Sequence, residues 1–382
     1  MENKNTIFWC GSILTFEGLN KFKGEAPSAT IWTREILTGF SKNSINVKIF
    51  APIWDAMFPK GYLFPGSTQY LDPNFNQQNI KYLNIPYIRK YSLARNLFNS
   101  IQKEIEENGE PKAIINYNTY PHYIIALKKI KEKYPNIKWI NYILDLDDPD
   151  KDNWLSYSND VKGSDGCIFL SWWGFKNTPT KNKLYVEAGW NGKLPESSIT
   201  DKFIFIYAGK LSAYGGINDL IEIIKIYKNK DVQFHFYGKG KNLALEDLAQ
   251  NDKRVHIKGF VSDEELKKAC ESANGFLSPR DVNCQENKMI FPSKILYYLK
   301  FRKPIISQDL PGLPPEYHNV LFIPKSSSYD DWINEIKRVK ELSKDETKIN
   351  FEKSTALLEI KKWSNQTLKI MSFINELNNE NS

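Results

Sequence analysis

The sequence predicts an α/β protein in which two doubly wound domains with parallel sheets follow one another along the chain. Its 382 residues exceed one typical domain and suit two. Apolar strand-like runs alternate with helical patterns, which is typical of parallel sheets. The order of strand, glycine-bearing loop and helix begins each half. With 41% hydrophobic and 25% charged residues, the composition excludes a disordered or fibrous chain.

The first half begins with a βαβ unit, formed by a strand at 7–10, a loop at 24–28, a helix at 29–40 and a strand at 47–51. The same patterns predict further strands and helices in this half: strands at 113–116, 139–144 and 167–170, and helices at 92–107 and 123–133. Residues 55–85 are rich in Pro, Gly, Asn and aromatic side chains. They predict a long surface loop that contacts an acceptor or a membrane surface.

The second half repeats the alternation after a linker at 189–201, which combines Gly, Pro, Ser and Thr. The expected domains are therefore 1–192 and 201–355. Strands and helices of the second domain are predicted in chain order: strand 203–207, helix 217–227, strands 232–237 and 255–258, helix 263–273, strand 275–278, helix 293–301 and strand 304–307. A long amphipathic helix is expected over 352–377.

Charge and cysteine usage narrow the function classes. The net charge of +7 comes from 52 basic and 45 acidic residues and is spread over both halves. A nucleic-acid-binding protein more often concentrates positive charge on one stripe, so no nucleic-acid partner is expected. The four cysteines show no CxxC spacing, which argues against a zinc site or a disulfide framework and favours a cytoplasmic setting. No apolar run approaches the length of a membrane span, and the N-terminus does not resemble a secretory signal.

Two loops of the second domain combine glycine or cationic residues with a strand end. The loop 208–216 contains Gly209 and Lys210 and leads into a helix, where backbone N–H groups and a cation suit a phosphate. The loop 278–294 carries Arg280, Glu286 and Lys294, and two cations there suit a pyrophosphate. The structural alternatives are an ordinary βα turn for the first loop and an ion pair of Glu286 for the second.

The motifs YAGKL-x4-G-x3-LI, FHFYGKG, HIKGFV, DEELKKACESANGFLSPR and FPSKILYYLKFRKPII resemble family-four retaining glycosyltransferases of the GT-B fold. They occur in the family's order over residues 203–307. The combination PR…FPSK is similar to the bacterial branch that builds surface polysaccharides or glycosylates proteins, whereas the first half resembles the family only loosely. The resemblance implies two Rossmann-like domains facing a cleft, with a C-terminal helix at 356–382 that crosses back to the first domain.

Donor-binding positions follow from the resemblance residue by residue. Lys210, Arg280 and Lys294 would hold the diphosphate of the donor. The backbone of Phe260 and Val261 would lie near the nucleotide base. The remaining donor positions implied by the matching motifs are Gly209, Gly238, Phe291, Pro292 and Ser293. The family's paired glutamates fall on Met289 and Tyr297 and are therefore absent here, although Glu286 could reach a sugar or ribose hydroxyl from a shifted loop.

The acceptor side is expected in the first domain. Asp145 follows a strand at about the position where the family has a histidine loop, and it would accept a hydroxyl proton or bind a sugar hydroxyl. The acidic cluster 145–148 is also compatible with a metal-binding site, but a solvated acidic loop is favoured and no metal is expected. Gly24 and His122 could line the cleft, although the loop around Gly24 is equally compatible with a turn capped by Ser28.

Together with these patterns, the resemblance implies a retaining glycosyltransferase that moves a sugar from a nucleoside-diphosphate donor, with UDP favoured, to a glycan, lipid-linked or protein-linked acceptor. Asp145, Glu286 and Lys294 are the expected catalytic residues, and no cofactor or metal is required. Peripheral contact with the cell membrane stays open. Because the paired glutamates are missing, the alternative is a non-catalytic GT-B partner or glycan-recognition subunit of an active transferase. A sugar-nucleotide epimerase is a third, weaker hypothesis, since only Asp145 and His122 could supply acid–base groups.

Overall fold

The computed structural model describes residues 5–22, 24–144, 161–196, 202–284, 287 and 290–379. The chain divides into two compact units. The first unit comprises Met1–Leu170, Gly174–Asn191 and Lys361–Ser382, and the second comprises Ser171–Trp173 and Gly192–Ile360. Each unit contains its own parallel sheet, so the predicted α/β class and the doubling of the Rossmann-like pattern are confirmed.

The sheet of the first unit has seven parallel strands: β1 Thr6–Cys10, β2 Asn46–Ala51, β3 Gln77–Asn79, β4 Ala113–Tyr117, β5 Lys138–Ile143, β6 Gly166–Phe169 and β7 Lys183–Tyr185. Their spatial order is β3-β2-β1-β4-β5-β6-β7. The strand order reverses between β1 and β4, where Cys10 lies beside Asn116. All five residues of β1 are buried because helices cover both faces of the sheet, which explains its unbroken apolar run.

Helices of the first unit enclose this sheet: α1 Phe16–Lys21, α2 Pro27–Lys42, α3 Arg89–Asn108 and α4 Pro121–Lys133. Proline occupies the first helical position of α2 and of α4, where its fixed φ favours helix initiation and no backbone N–H is lost. A short helix α5 (Trp172–Asn177) follows β6. Ala26 is the N-cap of α2 and makes no side-chain hydrogen bond, so the predicted capping role of Ser28 is wrong.

The segment 55–85 was expected to be a surface loop, and that prediction is only partly right. It supplies the edge strand β3, and Tyr82 and Asn84 within it are fully buried. The Tyr82 hydroxyl donates a hydrogen bond to the carbonyl oxygen of Ile53 at 2.9 Å. A chain rich in Pro, Gly and Asn can therefore enter a core when its polar groups find partners. The exposed aromatic residues of this segment lie mainly between 57 and 64.

The second unit has a six-stranded parallel sheet: β8 Phe203–Ala208, β9 Val232–Tyr237, β10 Val255–Gly259, β11 Gly275–Ser278, β12 Ile305–Ser307 and β13 Leu321–Phe322. The order is β10-β9-β8-β11-β12-β13, so the reversal lies between β8 and β11. Its helices are α6 Ile217–Ile226, α7 Leu243–Asn251, α8 Asp263–Ser272, α9 Ser293–Leu299, α10 Tyr329–Lys340 and α11 Lys344–Ile360.

The helix predicted over 352–377 is two helices, because α11 ends at Ile360 and a further helix, α12, spans Trp363–Asn379. α12 packs on α2 within the first unit. The Trp363 ring lies edge-on to Trp32 at 5.5 Å, and Asn43 donates hydrogen bonds to the carbonyl oxygen of Ser364 and to Thr367. In the break, the Lys361 ammonium forms a fully buried ion pair with Glu187. None of the helices in the described ranges is long and apolar enough to cross a membrane.

Candidate functional site

The second unit has a pocket of about 700 Å³ at the carboxyl ends of its strands. Ligands of doubly wound sheets bind at this edge, close to the reversal of strand order. We call this the second-unit pocket. Its wall is formed by loops after β8, β9 and β10 together with the start of α9, and the predicted donor residues that line it are Gly209, Lys210, Gly238, Phe260, Val261, Ser293 and Lys294.

Glycines shape the backbone of this pocket. Gly238 has φ +143°, and a Cβ at this position would overlap the carbonyl oxygen of Gly209 on the neighbouring strand end. A Cβ on Gly216, at φ +78°, would likewise overlap the carbonyl oxygen of Pro279. Only glycine allows these loops to approach so closely.

Lys294 is the most unusual charged residue of the second-unit pocket. Its Nζ lies 4.2 Å from the centre of the Tyr207 ring, beside Gly209. Burial, with the nearby positive charge of Arg280, lowers the pKa of Lys294 from 10.5 to about 7. Within the described residues, no carboxylate forms an ion pair with this ammonium. A partly buried ammonium without a counter-charge favours an anionic ligand.

Arg280 lies close to Lys294 but is not part of the pocket wall. Its Nη1 donates a hydrogen bond to Oδ1 of buried Asn287 at 3.3 Å, and Asn287 Nδ2 donates to the carbonyl oxygen of Asp281 at 2.9 Å. Asn287 therefore orients the guanidinium. Two further predicted positions of this loop, Glu286 and Met289, lie outside the described residues, so the ion-pair alternative for Glu286 is not tested.

The remaining donor-side predictions fall into two groups. Phe291 and Pro292 are buried rather than pocket-lining, and the Phe291 ring packs edge-on against Tyr317 at 5.7 Å. Phe260, in contrast, is 70% exposed, and the Lys239 ammonium lies 4.1 Å above its ring. Tyr297, at the position of the second family glutamate, lines the pocket with its phenol ring.

A smaller pocket, of about 200 Å³, lies at the carboxyl edge of the first sheet. We call this the first-unit pocket. It lies at the reversal of strand order, because it is lined by Gly11 after β1 and Tyr117 at the end of β4. Both acceptor-side predictions, Gly24 and His122, line it. A Cβ on Gly24 would come within 2.9 Å of the Asp55 backbone, so glycine allows the loop to close over this edge.

Glu25 is the carboxylate of the first-unit pocket. It accepts hydrogen bonds from Ser12 Oγ at 2.9 Å and from the backbone N–H of Trp54 at 2.7 Å. Burial raises the pKa of Glu25 from 4.5 to about 7, and these two hydrogen bonds oppose the rise only in part. The carboxyl group can therefore accept or release a proton near neutral pH.

Aromatic rings form one wall of the first-unit pocket. The Trp54 ring stacks on Tyr120 at 6.1 Å and on His122 at 5.3 Å. The Arg89 guanidinium lies 3.4 Å from the centre of the Trp54 ring. Burial, with the charge of Arg89, lowers the pKa of His122 to about 3. His122 is thus a neutral part of the wall at physiological pH, which argues against the acid–base role that the epimerase hypothesis gave it.

Sequence reasoning missed Glu25 and Trp54. Glu25 is adjacent to Gly24 in a loop already linked to ligand binding, so its position offered one signal. Trp54 offered none, since it lies one residue before the predicted surface loop 55–85 and matches no motif. Asp145 lies outside the described residues. Among the residues that are described, no group of three or more His, Cys, Asp or Glu side chains could hold a metal ion.

Solved structures share the fold of this chain. The sucrose-phosphate synthase from Thermosynechococcus elongatus has a TM-score of 0.65 and 14% identity, over 97% of this chain and 99% of that one. The apo form of the lipopolysaccharide outer core galactosyltransferase WaaB has a TM-score of 0.66 and 15% identity, over 97% of this chain and 99% of that one. A protein from Anabaena, solved in complex with UDP and glucose, has a TM-score of 0.60 and 13% identity, over 97% of this chain and 99% of that one. The chain therefore has the GT-B fold.

Comparison of sequences matches a smaller part of the chain than comparison of structures. No curated protein matches this chain. The family described as "Glycosyl transferases group 1" matches residues 202–341, which include every residue that lines the second-unit pocket. The second unit of this GT-B protein is accordingly similar to the glycosyl transferases group 1 family over these residues.

Proposed function

We propose that this protein is a retaining glycosyltransferase of the family-four type, which transfers a sugar from a nucleoside-diphosphate donor to a hydroxyl group of a glycan, lipid-linked or protein-linked acceptor. The observation that carries the proposal is Lys294. Its partly buried ammonium lies in a pocket at the strand ends, next to the Tyr207 ring, and no carboxylate among the described residues forms an ion pair with it. A diphosphate is the anion that this position suits best.

The chemistry of the donor side follows from this charge. When the bond between the sugar and the diphosphate breaks, negative charge grows on the leaving phosphate. Lys294 and the exposed Lys210 would stabilise that charge in place. In the retaining reaction the acceptor attacks from the face that the diphosphate leaves, and the leaving phosphate takes the acceptor proton. Because two lysines supply the positive charge, we expect no requirement for a metal.

The nucleoside would occupy the outer part of the second-unit pocket. The exposed Phe260 ring offers a stacking surface for a base, with Val261 beside it. The Tyr297 hydroxyl would take over a hydrogen bond to the ribose that a glutamate makes in similar enzymes. We favour UDP as the nucleotide, supported by the Anabaena protein of the same fold that was solved with UDP and glucose.

The first-unit pocket would hold the acceptor sugar. Stacked aromatic rings next to a carboxyl group are a common way to bind a sugar ring through its apolar face and its hydroxyl groups. Trp54 and Tyr120 would supply the stacking surface, and Glu25 would bind a hydroxyl group. His122, neutral at physiological pH, would complete the wall.

Thermal-shift titration tests the donor site. UDP, GDP, ADP, CMP and dTDP would each be added to the full chain, first without metal and then with magnesium. A ligand that binds only the native state raises the melting temperature by mass action. We expect a clear shift with UDP that is lost in Lys294→Met and kept in Lys230→Ala. Lys230 is an exposed lysine at the amino-terminal edge of the same sheet and serves as the matched control.

The same experiment separates the enzyme from its alternative. If no nucleotide shifts the wild-type melting temperature, the donor site is not functional and the non-catalytic partner hypothesis replaces ours. If UDP binds, sugar nucleotides of UDP would be assayed for slow donor hydrolysis, which needs no knowledge of the acceptor. A product with inverted configuration at the anomeric carbon would refute the retaining mechanism but not the glycosyltransferase activity.

A further inference from the structure

The first-unit pocket has room for a single sugar ring. Its volume of about 200 Å³ lies below the roughly 300–1,000 Å³ that is typical of pockets for drug-sized ligands. Beside its aromatic wall, the pocket is lined mainly by glycine and small side chains: Gly11, Ser12, Gly24, Ala26, Ser28 and Ala29. These residues have no long side chain that could move aside and enlarge the space. Only the terminal residue of a glycan would therefore enter the pocket.

The charged side chains next to this pocket, apart from Glu25, lie outside its lining. No lysine or arginine is among the described residues that line it. The Arg89 guanidinium covers the Trp54 ring at 3.4 Å from the ring centre and donates a hydrogen bond to the carbonyl oxygen of Asp55 at 2.9 Å. The Asp55 carboxylate accepts a hydrogen bond from the backbone N–H of Tyr62 at 2.8 Å. A sugar carboxylate or phosphate in the pocket would lose its hydration without gaining an ion pair, which is strongly unfavourable.

Glu25 leaves one of its carboxyl oxygens available to a ligand. Its Oε1 accepts both hydrogen bonds of this group, from Ser12 Oγ and from the backbone N–H of Trp54. No described residue donates a hydrogen bond to Oε2, and the side chain is only partly buried in the wall of the pocket. Oε2 can therefore bind a sugar hydroxyl group as an acceptor when ionised and as a donor when protonated. The ionised form repels an acidic sugar.

Apart from Arg89, the titratable groups around Glu25 are uncharged at physiological pH. Burial raises the pKa of Tyr82 to about 12 and the pKa of Tyr123 well above its usual range, and both phenols interact electrostatically with Glu25. His122 is neutral, because burial lowers its pKa to about 3. The remaining phenols of the described lining are those of Tyr117 and Tyr120. The charge of the pocket therefore changes with pH mainly through Glu25.

We propose that the first-unit pocket binds one uncharged hexose ring, which is the terminal residue of the acceptor, and that Glu25 selects such a ring over an acidic sugar. The stacked rings of Trp54 and Tyr120 cover an apolar face of the sugar, and Glu25 Oε2 binds one of its hydroxyl groups. Uronic acids, sialic acids and phosphorylated sugars are excluded. This inference names the acceptor class of the proposed function and rests on it.

The discrimination against acidic sugars depends on pH. With a pKa of about 7 in the free protein, Glu25 is mostly protonated at pH 6 and mostly ionised at pH 8. A bound uronate keeps the proton on Glu25, so uronate binding competes with the ionisation of this group and weakens as pH rises. Proton linkage limits this change to about tenfold between pH 6 and pH 8. Binding of a neutral sugar carries no such penalty, so the preference for it grows with pH.

Saturation-transfer difference NMR on the full chain tests the proposal, because it detects weak sugar binding and needs no donor. The probes are methyl glucoside, methyl galactoside and methyl mannoside, each compared with the methyl glycoside of its uronic acid at pH 6 and pH 8. We expect at least one neutral glycoside to bind. Its uronate counterpart should bind at least about tenfold more weakly at pH 8, since its charge finds no ion pair.

Two variants and one matched control assign the selectivity to this pocket. Glu25→Gln cannot ionise, so its preference for the neutral glycoside should be the same at pH 6 and pH 8. Tyr120→Leu removes a ring of the wall and should weaken binding of the neutral glycoside by about threefold to tenfold. Glu132→Gln, at an exposed position of α4, should keep the wild-type preference and its pH dependence. Thermal melting verifies the fold of each variant.

Three results would overturn the proposal. The first is that no neutral glycoside binds. The second is that a uronate binds at pH 8 as tightly as its neutral counterpart. The third is that the preference of Glu25→Gln changes with pH as the wild-type preference does. The UDP thermal shift separates these failures from a failure of the proposed function. A UDP shift without glycoside binding leaves the transferase in place, whereas glycoside binding without any nucleotide shift leaves only a glycan-recognition site.

Discussion

Replacing Lys294 with methionine should make the protein more stable while removing its ability to bind a nucleoside diphosphate. Methionine can fill the space above the Tyr207 ring without bringing a charge into it. In the wild type, the folded state holds an ammonium where burial lowers its pKa from 10.5 to about 7. The unfolded chain leaves that ammonium in water.

The size of the effect follows from the pKa difference and depends on pH. The pKa of Lys294 falls from 10.5 in water to about 7 in the folded protein. Each pKa unit is worth about 1.36 kcal/mol, so below pH 7 the buried charge lowers the free energy of unfolding by at most about 5 kcal/mol. Between pH 7 and 10.5 the unfolded state binds the additional proton, so the wild-type stability rises with pH in this window. The advantage of the methionine variant over the wild type should therefore shrink by about 2 kcal/mol between pH 7 and pH 9.

Urea denaturation of both proteins at pH 6, 7, 8 and 9 measures this difference directly, because all other titrating groups are shared. Lys303→Met is the matched control. The Lys303 ammonium is also buried, but it donates hydrogen bonds to the carbonyl oxygens of Cys270, Glu271 and Ala273, so its removal should destabilise the protein. A stability difference between wild type and Lys294→Met that does not change with pH would refute the reasoning.

Three further substitutions test other parts of the structure. Glu187→Gln leaves the Lys361 ammonium buried without its counter-charge and should cost about 3–5 kcal/mol of unfolding free energy in a urea titration; an unchanged midpoint would contradict a buried pair. Gly238→Ala should lower the melting temperature by about 5 °C or more, since the new Cβ overlaps a neighbouring carbonyl oxygen. It should also reduce the rise in melting temperature that UDP causes. A rise equal to that of the wild type would argue against a role of this loop in binding the donor. Glu25→Gln should flatten the pH dependence of stability, because a folded-state pKa raised from 4.5 to about 7 makes the wild type lose stability as pH rises through that range. Equal pH profiles from pH 4.5 to 7.5 would contradict the raised pKa.

Local patterns predicted most of the strands and helices, because a strand buried on both faces must be an apolar run. The run at 203–207 and the helix at 217–227 both appear within one residue of their predicted bounds. The loop 208–216 was also identified correctly as the connection that leaves a sheet edge. The long helix over 352–377 was wrong, because its periodicity continues across a break that tertiary contacts of Lys361 and Trp363 impose.

The sequence by itself determined the fold class, the doubling of the sheet and the loops at which a donor could bind, since each of these depends on neighbours along the chain. Only the tertiary structure decided the electrostatic state of the site. The sequence assigned Lys294 to the donor diphosphate, but the lowered pKa of its ammonium follows only from its burial and from the charge of Arg280 in the folded protein. Glu25 acquires its raised pKa from burial next to Trp54, which is 29 residues away along the chain. A pKa depends on every group that surrounds a side chain in space, and those groups come together only when the chain folds.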